Sequence, residues 1–234
     1  MEELLDKLEF GTLFGLINMG CQRFDDSKLF ISENKIIEYK IIKIRVYLGY
    51  INGKKNILGI GCTYKNIFNG KIKETINKGN IEAEEVEEFC IKNNEYLSNV
   101  YFQLSDFSPN YDNIFDNFRF ITNKNNQKFI GEYNEKNEIK KFIDKEAIIF
   151  GFFGTFTNRL ETIGCMYIKS QTLYNILSFG FFILKHVAKR NKDFKNKWEK
   201  NYKNLPISYQ YLWKAVNLPD DFTFHQIIKY IIYF

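Results

Sequence analysis

Between Ala147 and Ile168 the chain runs apolar, polar, apolar. Ala147 to Phe153 is an unbroken apolar run that ends at Gly154, Thr155 to Glu161 is a short polar break, and Thr162 to Ile168 is apolar again. The pattern predicts strand, tight loop, strand. In the second strand alternation places Ile163, Cys165 and Tyr167 on one side and Gly164, Met166 and Ile168 on the other. The glycines mark positions where the backbone turns or lies close to another strand.

The same signals recur upstream. Ile42, Ile44, Val46 and Leu48 alternate with Lys43, Arg45 and Tyr47, the signature of a strand with one solvated face. Asn52-Gly53 follows as a hairpin turn, and Asn56 to Thr63 resumes as a strand. Asn69-Gly70 and Lys78-Gly79-Asn80 are further turns, Leu97 to Leu104 and Ile114 to Thr122 read as another strand pair, and Lys128 to Tyr133 starts the next. Many short strands with regular turns favour a mainly β sandwich, barrel or prism. The flanks read differently. Leu4, Leu5 and Leu8 predict a short N-terminal helical arm over residues 1–19. After Lys169, the spacing of Leu173, Ile176, Leu177, Phe181 and Leu184 predicts a helical extension over residues 170–234, broken at Leu205-Pro206.

Composition excludes some classes. With 45% hydrophobic residues the chain has enough apolar surface for a core, which argues against disorder. Its net charge of +5 is concentrated: residues 185–203 carry seven Lys and one Arg against Asp193 and Glu199, so the remainder is close to neutral. Phe194, Trp198 and Tyr202 within this stretch are spaced by four, one helix face. We read that face as packing against a partner, with Lys189 and Arg190 turned to solvent or an acidic surface, in preference to nucleic-acid binding. Cys21, Cys62, Cys90 and Cys165 lack metal-type spacing and read as free thiols, buried by default. The acidic start lacks a signal peptide's basic and apolar regions, and Leu173 to Leu184 is too short to span a bilayer, so the expectation is an intracellular protein, soluble or peripheral, with the cytoplasm favoured over the mitochondrion.

An ordered series of segments resembles the jacalin-related lectin family. Gly20-Cys21-Gln22-Arg23-Phe24-Asp25-Asp26 is similar to its opening segment, Glu95-Tyr96-Leu97-Ser98-Asn99-Val100 and Phe118-Arg119-Phe120-Ile121-Thr122-Asn123 to two internal strands, Gly131-Glu132-Tyr133 to a following turn, and Ala147 to Ile168 to its closing hairpin. The resemblance covers roughly residues 20–168. It implies a β-prism of three Greek-key sheets with pseudo-threefold symmetry, and it implies binding, not catalysis, with no cofactor. The family's sugar site combines the N-terminal glycine region with a Gly-x-x-x-Asp loop. By that resemblance the carbohydrate-binding positions here are Gly20, Thr157, Asn158, Arg159 and Glu161. The loop Gln103 to Asp112, with Asp106 and Tyr111, reads either as a source of additional ligand contacts at the same end or as an ordinary polar loop. Thr157 stands where the family has Gly and Glu161 where it has Asp, which puts a Cβ and an extra methylene into the loop and implies an altered site.

Other constellations have simpler readings. Asp25-Asp26 reads as a turn and ladder position before an acid–base pair. His186 and His225 lie in the helical tail, too remote from any Cys to suggest a nucleophile pair. The glutamates at 82, 84, 85, 87 and 88 read as a solvated helix or loop face. Taken together, the expectation is a structural or interaction subunit of a larger protein assembly, the partner face being Lys189, Arg190, Phe194, Trp198 and Tyr202. The alternative is an active lectin for mannose- or galactose-type glycans.

Overall fold

The computed structural model describes residues 8–16, 19–30, 39–51, 53–66, 70–75, 78–79, 83–92, 95–105, 114–143 and 147–169. These form strands β1 (Glu9–Phe10), β2 (Phe14–Gly15), β3 (Gln22–Asp25), β4 (Tyr39–Ile51), β5 (Lys54–Asn66), β6 (Ile72–Glu74), β7 (Lys78–Gly79), β8 (Glu85–Cys90), β9 (Leu97–Ser105), β10 (Ile114–Thr122), β11 (Gln127–Gly131), β12 (Lys140–Lys141), β13 (Ala147–Phe156) and β14 (Leu160–Lys169). A single 3-10 turn, Asp26–Leu29, follows β3.

The strands make three antiparallel sheets, each built on one hairpin of consecutive strands: β4–β5, β9–β10 and β13–β14. In every sheet the second hairpin strand is flanked outside by one or two short strands and the first by a single one. β6 and β7 flank β5 while β8 flanks β4; β11 flanks β10 while β12 flanks β9. In the third sheet the flanking strands come from the N-terminus, β1 and β2 beside β14 and β3 beside β13, so the first described residues close the sheet made by the last. The fold is thus mainly β, a three-sheet prism around one core.

The three hairpins share one irregularity at the same register. In β13–β14, Thr155 pairs Thr162 and the next pair is Phe156–Leu160, so Glu161 is bulged out of the ladder. In β4–β5, Tyr47 pairs Gly59 and then Leu48 pairs Ile57, skipping Leu58. In β9–β10, Gln103 pairs Asn117 and Leu104 pairs Phe115, skipping Asp116. Opposite each bulge the outer strand carries a glycine with positive φ: Gly15 (φ 105), Gly79 (φ 128) and Gly131 (φ 101). A side chain there would overlap the carbonyl oxygen of Glu161, Leu58 or Asp116 respectively. The inward residues just past each bulge, Ile163, Ile60 and Phe118, are all buried in the common core. This is a pseudo-threefold repeat written in backbone geometry.

Alternation explains most of the strands, with one slip. Ile44, Val46 and Leu48 are fully buried as expected, but a second bulge between Ile41 and Lys43 turns Ile41 inward in place of Ile42. From Glu85 on, the acidic run is neither helix nor loop: Glu85–Cys90 is an edge strand paired with β4. Its carboxylates meet cations of three other strands, Glu85 with Lys55 of β5 at 2.7 Å, Glu87 with Lys128 of β11 at 3.0 Å, and Glu88 with Lys43 at 3.2 Å and Arg45 at 3.1 Å, both of β4. At solvent-exposed positions each such pair contributes about 0.2–1 kcal/mol, so the ladder guards an edge more than it holds the fold. The N-terminal arm also differs from expectation. Residues 9–10 and 14–15 are extended, because the edge of β14 offers them ladder partners that an isolated helical turn would lack. Residues 1–7 and the extension 170–234 lie outside the described residues. Of the thiols, Cys62 and Cys165 are buried, whereas Cys90 is exposed on β8.

Gly79→Ala and Gly131→Ala are each expected to lower stability by more than about 2 kcal/mol, since the new Cβ is excluded both by φ and by the facing carbonyl. Gly53→Ala, at φ 78 with nothing within 4 Å of its Cβ, should cost only about 1 kcal/mol. Denaturant unfolding measures all three; equal losses would show that the close approach at the bulges has no energetic weight.

Candidate functional site

The turn between β13 and β14 is closed by the Thr157 N–H donating to the Arg159 carbonyl at 3.0 Å. Directly after it comes the bulged Glu161, so its side chain is re-aimed relative to the regular alternation. Glu161 is only 5% exposed. Its Oε1 accepts from Thr157 Oγ1 at 2.8 Å and from Arg159 Nε at 3.1 Å. Thr157 Oγ1 also lies 3.1 Å from Asn158 Oδ1, but one hydroxyl proton serves one acceptor well, and the shorter contact to a carboxylate prevails. One register step below, the Thr155 and Thr162 hydroxyls pair at 2.8 Å and fix the base of the loop.

Two N-terminal segments flank this loop. On the β14 side, Gly15 packs against the Glu161 carbonyl, a contact open only to glycine. On the β13 side, Gln22 pairs Phe156, which brings the Met19-Gly20 turn to the same end of the sheet. Gly20 sits at φ 85 with nothing within 4 Å of where a Cβ would be, leaving open space beside the loop. Gly20, Thr157, Asn158, Arg159 and Glu161 are therefore brought to one corner. Asp106 and Tyr111 lie outside the described residues, as do Lys189, Arg190, Phe194, Trp198 and Tyr202.

Sequence reasoning missed two residues that the threefold register singles out. Asp116 and Leu58 occupy the same bulge position as Glu161. Leu58 is apolar and packs over Gly49. Asp116 is fully buried, with Oδ1 accepting from Lys54 Nζ at 2.9 Å and Oδ2 from Asn137 Nδ2 at 2.8 Å. Lys54 begins β5, so this pair ties the second sheet to the first. Asn137 in turn belongs to a polar network with Gln103 and Asn117 that holds the segment after β11 against the sheet. A sequence signal existed: Ile60-Gly61-Cys62 and Ile163-Gly164-Cys165 repeat the same tripeptide two residues after Leu58 and Glu161, while the segment after Asp116 differs.

The paired carboxylates Asp25-Asp26 do separate work. Asp25 caps the 3-10 turn, accepting from Ser27 N at 2.9 Å and Ser27 Oγ at 2.6 Å. Asp26 is buried and accepts from Tyr64 Oη at 2.5 Å and Phe152 N at 3.2 Å, joining two sheets through the core. Burial pushes its carboxyl up to about 6 against the pull of those two donors, and burial likewise pushes the Tyr64 phenol and the Cys62 thiol up. Because folded Asp26 holds its proton more tightly than the unfolded chain does, its contribution is complete below about pH 4 and is lost as pH rises through about 6, a span worth up to about 3 kcal/mol. Asp26→Asn should flatten the decline in stability between pH 4 and pH 7, as read by denaturation at fixed pH; an unchanged slope would assign the titration elsewhere.

A protein-family model, the jacalin-like lectin domain, matches residues 19–166. Among solved structures, the chain is similar to AcmJRL, a mannose binding jacalin related lectin from Ananas comosus, at 16% identity, covering 70% of this chain and 99% of that one with a TM-score of 0.50. Wild-type Malaysian banana lectin gives the same identity, coverage and score. Artocarpin, solved as a complex with mannopentose, gives 19% identity over 69% of this chain and 97% of that one, with a TM-score of 0.50. At such identities the likeness speaks for the fold. No curated protein matches the chain.

Proposed function

Taking as premise that the chain belongs to the jacalin-like lectin domain family, as its match over residues 19–166 shows, we propose that it is a non-catalytic β-prism protein serving as a structural or interaction subunit of a larger assembly, with the family's sugar-reading loop altered. One observation carries the reading: the Glu161 carboxylate, 5% exposed, is turned inward and engaged by Thr157 and Arg159. A sugar hydroxyl needs an accessible acceptor, and here it would have to displace two charge-assisted or hydroxyl contacts already made within the loop. The proposed partner face is the basic, aromatic tail with Lys189, Arg190, Phe194, Trp198 and Tyr202, whose aromatic spacing by four supports one packing face on a helix. No helix among the described residues is long and apolar enough to cross a membrane.

A second reading, an active lectin for mannose- or galactose-type glycans, is favoured by the convergence of the open Gly20 turn and the 157–161 loop at one sheet end. The two readings separate in solution. We expect methyl mannoside and methyl galactoside to show no saturable binding by calorimetry, and native size analysis of the cell extract to place the chain in a particle well above 27.9 kDa that loses it when residues 170–234 are deleted. Saturable mannoside binding that Glu161→Ala abolishes, with a strictly monomeric chain, would replace the first reading with the second.

A further inference from the structure

The sheet built on β9–β10 sets one row of residues across its four strands: Phe129 pairs Arg119, Arg119 pairs Tyr101 and Tyr101 pairs Lys141. Residues in register share a face, and the alternate positions Val100, Phe102, Phe118 and Phe120 are buried in the core, so this row faces outward. Ring and cation alternate along it. The Arg119 guanidinium lies 6.0 Å and the Lys141 ammonium 5.6 Å from the centre of the Tyr101 ring. Gln127 Oε1 holds the guanidinium in plane, accepting from Nε at 3.0 Å and from Nη2 at 2.6 Å, and no hydrogen bond among the described residues reaches Nη1. Neither Arg119 nor Lys141 forms an ion pair among the described residues. On the sheet built on β4–β5, by contrast, Lys43, Arg45 and Lys55 each meet a glutamate. Beside the row runs a wall of opposite sign. Gln103 and Asn117, two positions along β9 and β10, face the same way and grip the segment after β11. Gln103 Nε2 donates to the Asn134 and Asn137 carbonyls at 2.8 and 2.7 Å, and Asn117 Nδ2 donates to the Glu132 carbonyl at 2.8 Å. Residues 132–137 are thereby laid over the outer face, about 7 Å along the strands from the row. Glu132, Glu135 and Glu138 are exposed there and pair with no cation among the described residues, with Lys136 the one positive charge between them. Tyr133 and Ile139 are exposed on the same segment, the Tyr133 ring edge-on to Phe129 at 6.2 Å.

We propose that this face pairs with the same face of a second copy of the chain, the Arg119 and Lys141 row of each copy meeting the glutamate wall of the other. A surface that holds two unmatched cations beside a net acidic wall is complementary to itself, which is what a two-fold pairing requires. A polyanion such as single-stranded nucleic acid fits worse, because the glutamates beside the cations repel it. Phe129, Tyr133, Tyr101 and Arg119 are the residue types that carry most of the energy of protein interfaces. Four strands about 4.8 Å apart, the two central ones nine residues long, offer roughly 30 by 15 Å, the small end of interface areas, so the pairing belongs in the micromolar range. The inference goes beyond the assembly reading and uses neither the 157–161 loop nor the tail, so its failure leaves that reading standing.

The test is sedimentation velocity of the purified full chain at low salt, from about 5 to about 200 µM, where mass action populates a micromolar pair. The expected result is a concentration-dependent species of twice the 27.9 kDa chain that weakens with added salt. Arg119→Glu, and separately the double variant Glu135→Lys, Glu138→Lys, should each weaken pairing about tenfold or more while circular dichroism stays unchanged, since all three side chains are exposed. Mixed in equal amounts, the two variants should pair again, because each swapped charge then meets its complement. A wild-type chain that stays monomeric at the highest concentration overturns the proposal, whether or not it binds a fluorescent thymidine oligomer. A pair that both variants leave intact, or variants that stay apart when mixed, overturns it as well.

Discussion

The fold depends on a close approach made three times. In each hairpin one residue is bulged from the second strand, and the outer strand meets it with a glycine at positive φ whose missing Cβ lets the two backbones touch. A bulge increases local twist and re-aims side chains, and three at one register twist three sheets alike. That shared twist lets the inward residues Ile60, Phe118 and Ile163 meet in a single buried core. The direction of Glu161 is therefore set by sheet geometry before the loop chemistry begins.

The three bulge positions show what one backbone site permits. Leu58 packs over Gly49, Asp116 is buried against Lys54 and Asn137, and Glu161 folds under Thr157 and Arg159. A buried carboxylate left without partners would cost several kcal/mol, so an acid at this position requires either a cation from a neighbouring element or donors of its own loop. Asp116 takes the first route and in doing so couples two sheets. Glu161 takes the second through Thr157 and Arg159.

Much of this was legible in the sequence. The strands of β4, β5, β9, β10, β13 and β14 follow from alternation and turn residues, and the ordered motifs identify the fold. The bulges were not legible, because a one-residue slip leaves composition untouched and shows only as Ile41 facing inward in place of Ile42. The N-terminal strands β1 and β2 are two residues each, too short to carry a period. The edge strand β8 hides behind glutamates because its charges are matched by Lys43, Arg45, Lys55 and Lys128 from other strands. The corner of Gly20, Thr157 and Glu161 was legible as a place, while the inward turn of Glu161 needed the bulge to be seen.

The chain handles two of its buried acids in different ways. Asp26, sealed between Tyr64 and Phe152, meets burial by holding its proton towards neutral pH. Glu161, as deeply buried, meets it by pairing with the Arg159 guanidinium of its own turn. Neither acid is left without donors, and only the second is paired with a cation of its own loop. Fold and binding chemistry therefore part company at one residue: the prism requires a bulge there, and the choice of what covers the bulge decides which ligands the surface can attract.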